Sequence, residues 1–229
     1  MLTVKNLTAK HAVGIRAVNG VSFNLAPGEC MALIGANGAG KTSLLSAILG
    51  LLPLISGEIS ADGLVLGKKT LAEFRKKTGL VFQNPDDQLF MSTVFEDAAF
   101  GSRNSGLSET ETEKRVSAAL SELGIAHLAN RSPLRLSGGE KRLAAIAAVL
   151  TVQPDYLLFD EPTAFLDPKA RRNLREIIKG LPQGKLIATH DLPFAAECCT
   201  RVLILKDGAV AAGGGAELLQ DAAALEAWG

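Results

Sequence analysis

The stretch "GANGAGKT" (35 to 42) constrains this chain more than any other, because it places Gly35, Gly40, Lys41 and Thr42 in the pattern G-x-x-x-x-G-K-[ST]. An apolar run, "CMALIG" (30 to 35), leads in, and "SLLSAILG" (43 to 50) leads out. A strand has to deliver the chain to this loop and a helix has to leave it. Only then can the bare backbone of Gly35, Ala36, Asn37, Gly38, Ala39 and Gly40 turn its N–H groups toward one anion, with the positive end of a helix dipole added at Lys41, Thr42 and Ser43. In such a loop the lysine meets the β and γ phosphates of a nucleotide and the threonine hydroxyl ligates Mg²⁺. A strand–turn–helix without ligand is the bland alternative, and the correct flanks on both sides weigh against it.

The rest of the chain must supply a frame for that loop. With 229 residues, 47% hydrophobic and 21% charged, it is long enough for one well-cored globular unit with room for two lobes. Lys and Arg number 24 and so do Asp and Glu, so the net charge is zero and no basic footprint marks a nucleic-acid partner. The longest apolar runs, "LAAIAAVLTV" (143 to 152) and "LLSAILGLLPLIS" (44 to 56), fall short of the roughly 18 residues a spanning helix needs. The start "MLTVKNLT" lacks a leader pattern, which places the expected location in the cytosol. Cys30, Cys198 and Cys199 lack the C-x-x-C spacing, so they are expected as buried reduced thiols.

Short apolar runs at 30–35, 79–83, 156–160, 185–190 and 201–208 alternate with longer helical stretches, the pattern of an α/β chain with a parallel-rich sheet. "YLLFD" (156 to 160) is apolar at consecutive positions, so both its faces are expected under helices. "LTVKNL" and "VSFNL", with no helix between them, predict an antiparallel edge. From about 85 to 150 strand signals vanish, which predicts a helical lobe inserted into a core lobe of 1–84 and 151–229. Ser108 and Glu111 make a capping pair and Gly124 a stop, for a helix over 109–123. "AAGGGAELL" (211 to 219) reads as a flexible turn into a last short helix.

Two further stretches bear on chemistry. Asp160 ends the buried strand, where an unpaired carboxylate is costly unless it meets a cation, and Mg²⁺ through water fits. Glu161 is next in sequence, points elsewhere, and is placed to activate an attacking water; as a bland alternative it caps the following turn. "LSGGEKRLAAIAAVL" (136 to 150) is locally a helix start, with Ser137 as N-cap and Glu140 closing a capping box. Capping does not require the two consecutive glycines Gly138 and Gly139, whereas a phosphate at a helix N-terminus does. A second nucleotide site in this chain would lack both the lysine and the Asp-Glu pair.

"GANGAGKT", then "LSGGE" just ahead of "YLLFDEPTAFLDP", then "ATHD" closing a strand, resemble the ATPase subunit of ABC transporters over essentially the whole chain. The resemblance implies a phosphate-loop NTPase core with an inserted α-helical subdomain, ATP and Mg²⁺ as ligands, and two subunits, identical or close homologues, dimerised head to tail. It implies that Ser137, Gly138 and Gly139, with Glu140, contact the γ-phosphate held by the other subunit. Gln83 resembles the glutamine that contacts Mg²⁺ and water, beside Thr42 and Asp160. His190 resembles the histidine that holds the γ-phosphate, and Asp167 the aspartate that reaches across the dimer, while also being a good N-cap ahead of Pro168. His11 falls where an aromatic residue usually stacks on adenine, and Phe165 stands where a small residue often precedes Leu-Asp.

Within that family "VFQNPDDQLFMSTVFEDAAFG" (81 to 101) resembles the energy-coupling factor branch, which imports vitamins or cobalt and nickel. A short chain without a long C-terminal extension resembles the cobalt/nickel or biotin systems more than the paired shared modules, and the resemblance leans to cobalt or nickel, with a vitamin such as biotin as the alternative. The three scattered histidines, His11, His127 and His190, suit an energising subunit that never touches cargo. Integral membrane subunits are then the further partners, at the cytoplasmic face of the membrane. A soluble ABC ATPase outside transport is the rival class.

Overall fold

The computed structural model describes residues 1–11 and 16–220. In chain order these form strands β1 (Leu2–Lys10), β2 (Arg16–Leu25) and β3 (Cys30–Ile34), helix α1 (Lys41–Ile48), β4 (Leu54–Ala61), β5 (Leu64–Val65), α2 (Leu71–Lys77) and β6 (Thr78–Val81). Three helices follow, α3 (Val94–Asn104), α4 (Glu109–Glu122) and α5 (Gly138–Leu150). The chain then runs through β7 (Tyr156–Asp160), α6 (Pro168–Gly180), β8 (Gly184–Ala188), α7 (Leu192–Cys198), β9 (Arg201–Lys206) and β10 (Ala209–Gly215).

The central sheet has the order β10-β9-β3-β8-β7-β6, parallel throughout except for β10. All five residues of β3, β7 and β8 are buried, as consecutive apolar positions require. Alternate side chains serve opposite cores. Cys30, Ala32 and Ile34, with Leu157 and Phe159, pack with the helices of 94–199, whereas Met31, Leu33, Tyr156 and Leu158 pack with α1 and the N-terminal strands. Residues 85–150 hold helices and short 3₁₀ turns but no strand, and they share a hydrophobic core with one face of the sheet.

Three expectations are refined. The N-terminal segments form no mere edge: with β4 and β5 they build a separate antiparallel sheet, β2-β1-β4-β5. The glycine-rich 211–215 is no flexible turn but part of β10, paired to β9, and it is followed by a 3₁₀ turn at Ala216–Gln220. Main-chain pairing at a sheet edge needs no side chains, and a Cβ on Gly214 would lie 2.9 Å from Leu218. The helix expected at 109–123 is α4, with the Ser108 hydroxyl accepting from the Glu111 N–H and Gly124 at φ +70° ending it. Cys30 and Cys199 are buried free thiols with sulfurs 3.4 Å apart, and Cys198 is half-buried. Among the described residues no helix is long and apolar enough to cross a membrane.

Candidate functional site

The loop after β3 lies at the carboxyl ends of the parallel strands, between β8 and β9, where ligands of open α/β sheets gather. A cleft of about 600 Å³ opens there, lined by Ala36, Asn37, Gly38, Gly40, Lys41, Thr42 and Ser43 on one side and Gln83, Glu161 and His190 on the other. His11 joins its rim, with Nε2 3.2 Å from the Ser43 hydroxyl. Gly35 and Ala39, read from the sequence as ligand-facing, are instead buried and do not line the cleft. Gly35 has no room for a side chain, since a Cβ would run into the Leu205 carbonyl, and the Ala39 carbonyl accepts from the Gly208 N–H at 3.0 Å.

Helix α1 starts on Gly40, which has φ +102° and gives no side-chain cap, so the free N–H groups of its first turn have no capping oxygen. Lys41 is buried to 7% exposure, and its ammonium donates to the Gly35 carbonyl at 2.7 Å and the Ala36 carbonyl at 3.3 Å. These contacts arch the loop around the lysine and hold a positive charge at its centre, beside the helix dipole.

Asp160 and Glu161 point to different places, as consecutive residues at a strand end do. Asp160 is buried and its Oδ1 has no protein partner, with Thr42 beside the carboxylate. Burial pushes its carboxyl above the usual range and neighbouring Glu161 adds to this, while Thr42, Lys41 and Arg142 pull the other way. An orphaned buried carboxylate oxygen beside a hydroxyl fits a hard divalent cation. Mg²⁺ characteristically takes one or two carboxylates plus substrate phosphates rather than a protein cage. Among the described residues no three His, Cys, Asp or Glu side chains form such a cage.

Glu161 sits in the left-handed region at φ +44°, conformational strain concentrated at the carboxyl edge of the sheet. Its Oε2 accepts from the Thr189 hydroxyl at 3.1 Å and the His190 N–H at 3.3 Å, and lies 2.9 Å from His190 Nδ1. Its Oε1 lies 3.7 Å from the Lys41 ammonium. One oxygen is thus braced by the two residues just past β8 while the other faces the loop, an arrangement able to hold and deprotonate a water near a bound phosphate.

The remaining expected residues lie outside the cleft. Ser137 closes the capping box of α5 with Glu140, and Asp167 caps α6 by accepting from the Lys169 and Ala170 N–H groups at 2.8 and 2.9 Å. Gly138 and Gly139 begin α5 and do not line the cleft. Reading the sequence missed Thr189, the cleft-lining Asp207 and Gly208, and the buried Arg142. "DG" at 207–208 is legible as a turn, but which ligand loop it adjoins depends on sheet order.

The family model described as ABC transporter matches residues 18–164. An energy-coupling factor transporter ATP-binding protein EcfA from Carboxydothermus hydrogenoformans is 41% identical over 226 residues, spanning 97% of this chain and 84% of that protein. The structure of cbiO1 from Clostridium perfringens, part of the ABC transporter complex cbiONQ, superposes with TM-score 0.86 at 36% identity, covering 97% of this chain and 91% of that one. A dimeric post-hydrolysis state of the ATP-binding cassette MJ0796, bound to ADP and Pi, gives TM-score 0.83 at 29% identity, over 94% of this chain and 99% of that one.

Proposed function

The chain belongs to the ABC transporter family as an ATP-binding subunit of energy-coupling factor type, and on that premise we propose that it hydrolyses ATP in a head-to-tail dimer to energise an importer of cobalt or nickel ions. The observation that carries this reading is the placement of Glu161, braced on one oxygen and facing the loop with the other, while Ser137 to Gly139 stand outside the cleft on a capped helix start. The cleft of one subunit is completed by the α5 start of its partner, identical or a close homologue. All 229 residues serve one ATPase domain, with 1–84 and 151–229 as the nucleotide lobe and 85–150 as the helical lobe.

In this reading Lys41 exchanges its loop carbonyls for the β and γ phosphates, and the N–H groups of 36–43 hold the remaining oxygens. Thr42, Gln83 and Asp160 would hold Mg²⁺, which would supply neutralisation of the phosphate charge. Glu161 takes the proton of the attacking water, and Thr189 and His190 fix its orientation, His190 also facing the γ-phosphate. His11 borders the base. Asp167 reaches across the dimer from the α6 start. A groove beside the site, lined by Leu51, Leu80, Phe82 and Phe165 together with the polar Gln83, Asn84 and Asp87, would take a helix of an integral membrane subunit, in keeping with a location at the cytoplasmic face of the membrane.

Glu161→Gln should bind ATP normally, lose turnover by about a hundredfold or more, and accumulate as an ATP-bound dimer in size-exclusion chromatography. Normal turnover by that variant would remove Glu161 from the role. The energy-coupling factor reading is supported by the likeness of 81–101 to that branch and by the EcfA and cbiO1 relatives, and within it cobalt or nickel is preferred over a vitamin only by the family resemblance. Assay of ATP-dependent Co²⁺, Ni²⁺ or biotin uptake by the complex purified with its membrane subunits decides between cargoes. Failure to co-purify any membrane subunit would favour a soluble ATPase.

A further inference from the structure

Gln83 lies just past the end of β6, yet the segment that carries it is fastened to α5. Arg142, on the second turn of α5 and 1% exposed, donates from Nη1 to the Phe82 carbonyl at 2.5 Å and from Nη2 to the Gln83 carbonyl at 2.6 Å. The Gln88 amide donates to the Ala145 carbonyl at 2.8 Å while its oxygen accepts from the Phe82 N–H at 3.1 Å, and the Lys141 ammonium pairs with Asp86 at 2.6 Å. Three side-chain ties therefore bind residues 82–88 to residues 141–145.

A guanidinium is a costly way to fill this space. Its helix neighbours Leu143, Ala144, Ala145 and Ile146 are buried and apolar, and the Arg142 Nε is buried without a partner. Burial pulls Arg142 down to about 10, with the Asp160 carboxylate opposing, so the group stays charged at neutral pH. The charge has a specific geometric consequence. The Phe82 and Gln83 carbonyls belong to the two peptide planes that flank the Gln83 Cα, so one rigid, planar fork holding both fixes φ and ψ of Gln83.

We infer that Arg142 is a positioning residue for Gln83: from the helix whose first turn carries Ser137 to Gly139, it sets the Gln83 backbone so that its side chain enters the nucleotide cleft, and it makes the two move together. This rests on the reading of Gln83 as a cleft residue of an ATPase. Any displacement of α5, as when a second subunit engages its first turn, is then delivered to Gln83 through two hydrogen bonds.

The test is a double-mutant cycle on the full chain assembled with its membrane subunits, comparing Arg142→Lys in the parent and in Gln83→Ala. A lysine reaches one carbonyl, not two. In the parent, Arg142→Lys should lower kcat about tenfold and raise the half-saturating Mg²⁺ concentration several-fold, with KM for ATP within about twofold and Tm within a few degrees. In Gln83→Ala the same substitution should add nothing to the loss of kcat. Equal losses in both backgrounds, or an unchanged Mg²⁺ dependence in the parent, overturn the inference. Absence of Mg²⁺-dependent ATPase in the parent itself would instead overturn the reading on which it rests.

A second measurement needs no variant. Hydrogen exchange of the wild-type chain with a non-hydrolysable ATP analogue and Mg²⁺ should slow amides of 82–90 and of 138–146 together. Protection of 82–90 alone would also overturn the inference.

Discussion

Helix α1 begins on Gly40 with no side-chain cap, whereas α5 begins on Ser137 with a closed capping box. Both starts are glycine-rich, and the chain's own packing treats them differently. At the first, a Cβ on Gly40 would lie 2.5 Å from the Ala17 carbonyl, and one on Gly35 would strike that of Leu205. At the second, Gly139 would meet the Ala170 side chain at 3.0 Å, but the atom closest to a Cβ on Gly138 is the Phe165 carbonyl at 3.8 Å, ordinary contact. The phosphate loop is shaped by its own subunit and needs its ligand to satisfy the α1 N–H groups. The α5 start is satisfied without a ligand, and one of its two glycines has no explanation inside the subunit. A bare position there is what the proposed partner contact would use.

The largest effect should come from filling the first start. Gly40→Ala places a side chain at φ +102° against backbone that cannot yield, a combination expected to cost about 3 kcal/mol or more and to abolish ATP binding. Urea unfolding and calorimetric titration with ATP check both halves. If the variant keeps wild-type stability, the loop is not held by its own packing and the contrast with α5 disappears.

The sequence made the loop, its flanking strand and helix, and the Asp160–Glu161 pair legible because each depends on neighbours a few residues away. The four-stranded N-terminal sheet was not legible, because its pairing of β1 with β4 joins residues about fifty apart through register alone. Gly139 illustrates the same limit: its lack of a side chain looked like a phosphate requirement, and the structure supplies a packing reason in Ala170, 31 positions onward. Thr189 and Arg142 were missed for a related reason. A threonine between an alanine and a histidine, or an arginine on an apolar helix, carries no local sign of the carboxylate or carbonyls it will meet.

A middle-sized effect separates the two glycines of α5. Gly139→Ala should destabilise by about 1 kcal/mol as α5 and α6 move apart by a few tenths of an ångström. Gly138→Ala has room, and with a helix position to occupy it should be neutral or stabilise by about 0.5 kcal/mol. Turnover should follow the opposite order if the partner's phosphate approaches Gly138: unchanged stability with a clear loss of kcat in the assembled transporter. Thermal unfolding read beside steady-state ATPase gives both numbers for each variant, and normal kcat in Gly138→Ala would place the partner contact elsewhere.

The smallest effect concerns the cap itself. The Ser137 hydroxyl accepts from the Glu140 N–H at 3.4 Å and donates to Glu140 Oε2 at 2.8 Å, and the same oxygen accepts from the Ser137 N–H at 2.8 Å. Its proton is therefore committed to Glu140 and must turn away before the hydroxyl can donate to a phosphate. The Ser137 main-chain N–H, then its hydroxyl, hold the Glu140 carboxyl below the usual range. A depressed native value stabilises the fold above the unfolded value of roughly 4.3, and that contribution fades as pH falls through the native one. Glu140→Ala should thus lose about 0.5 to 1 kcal/mol at pH 7, with the gap to wild type narrowing by pH 3. Helix α1 has no acidic residue in its first turn and should show no such dependence. A gap that stays constant from pH 7 to pH 3 in urea titrations would mean that the box holds α5 by packing rather than by charge, and that Ser137 is free to serve a neighbouring phosphate without first releasing Glu140.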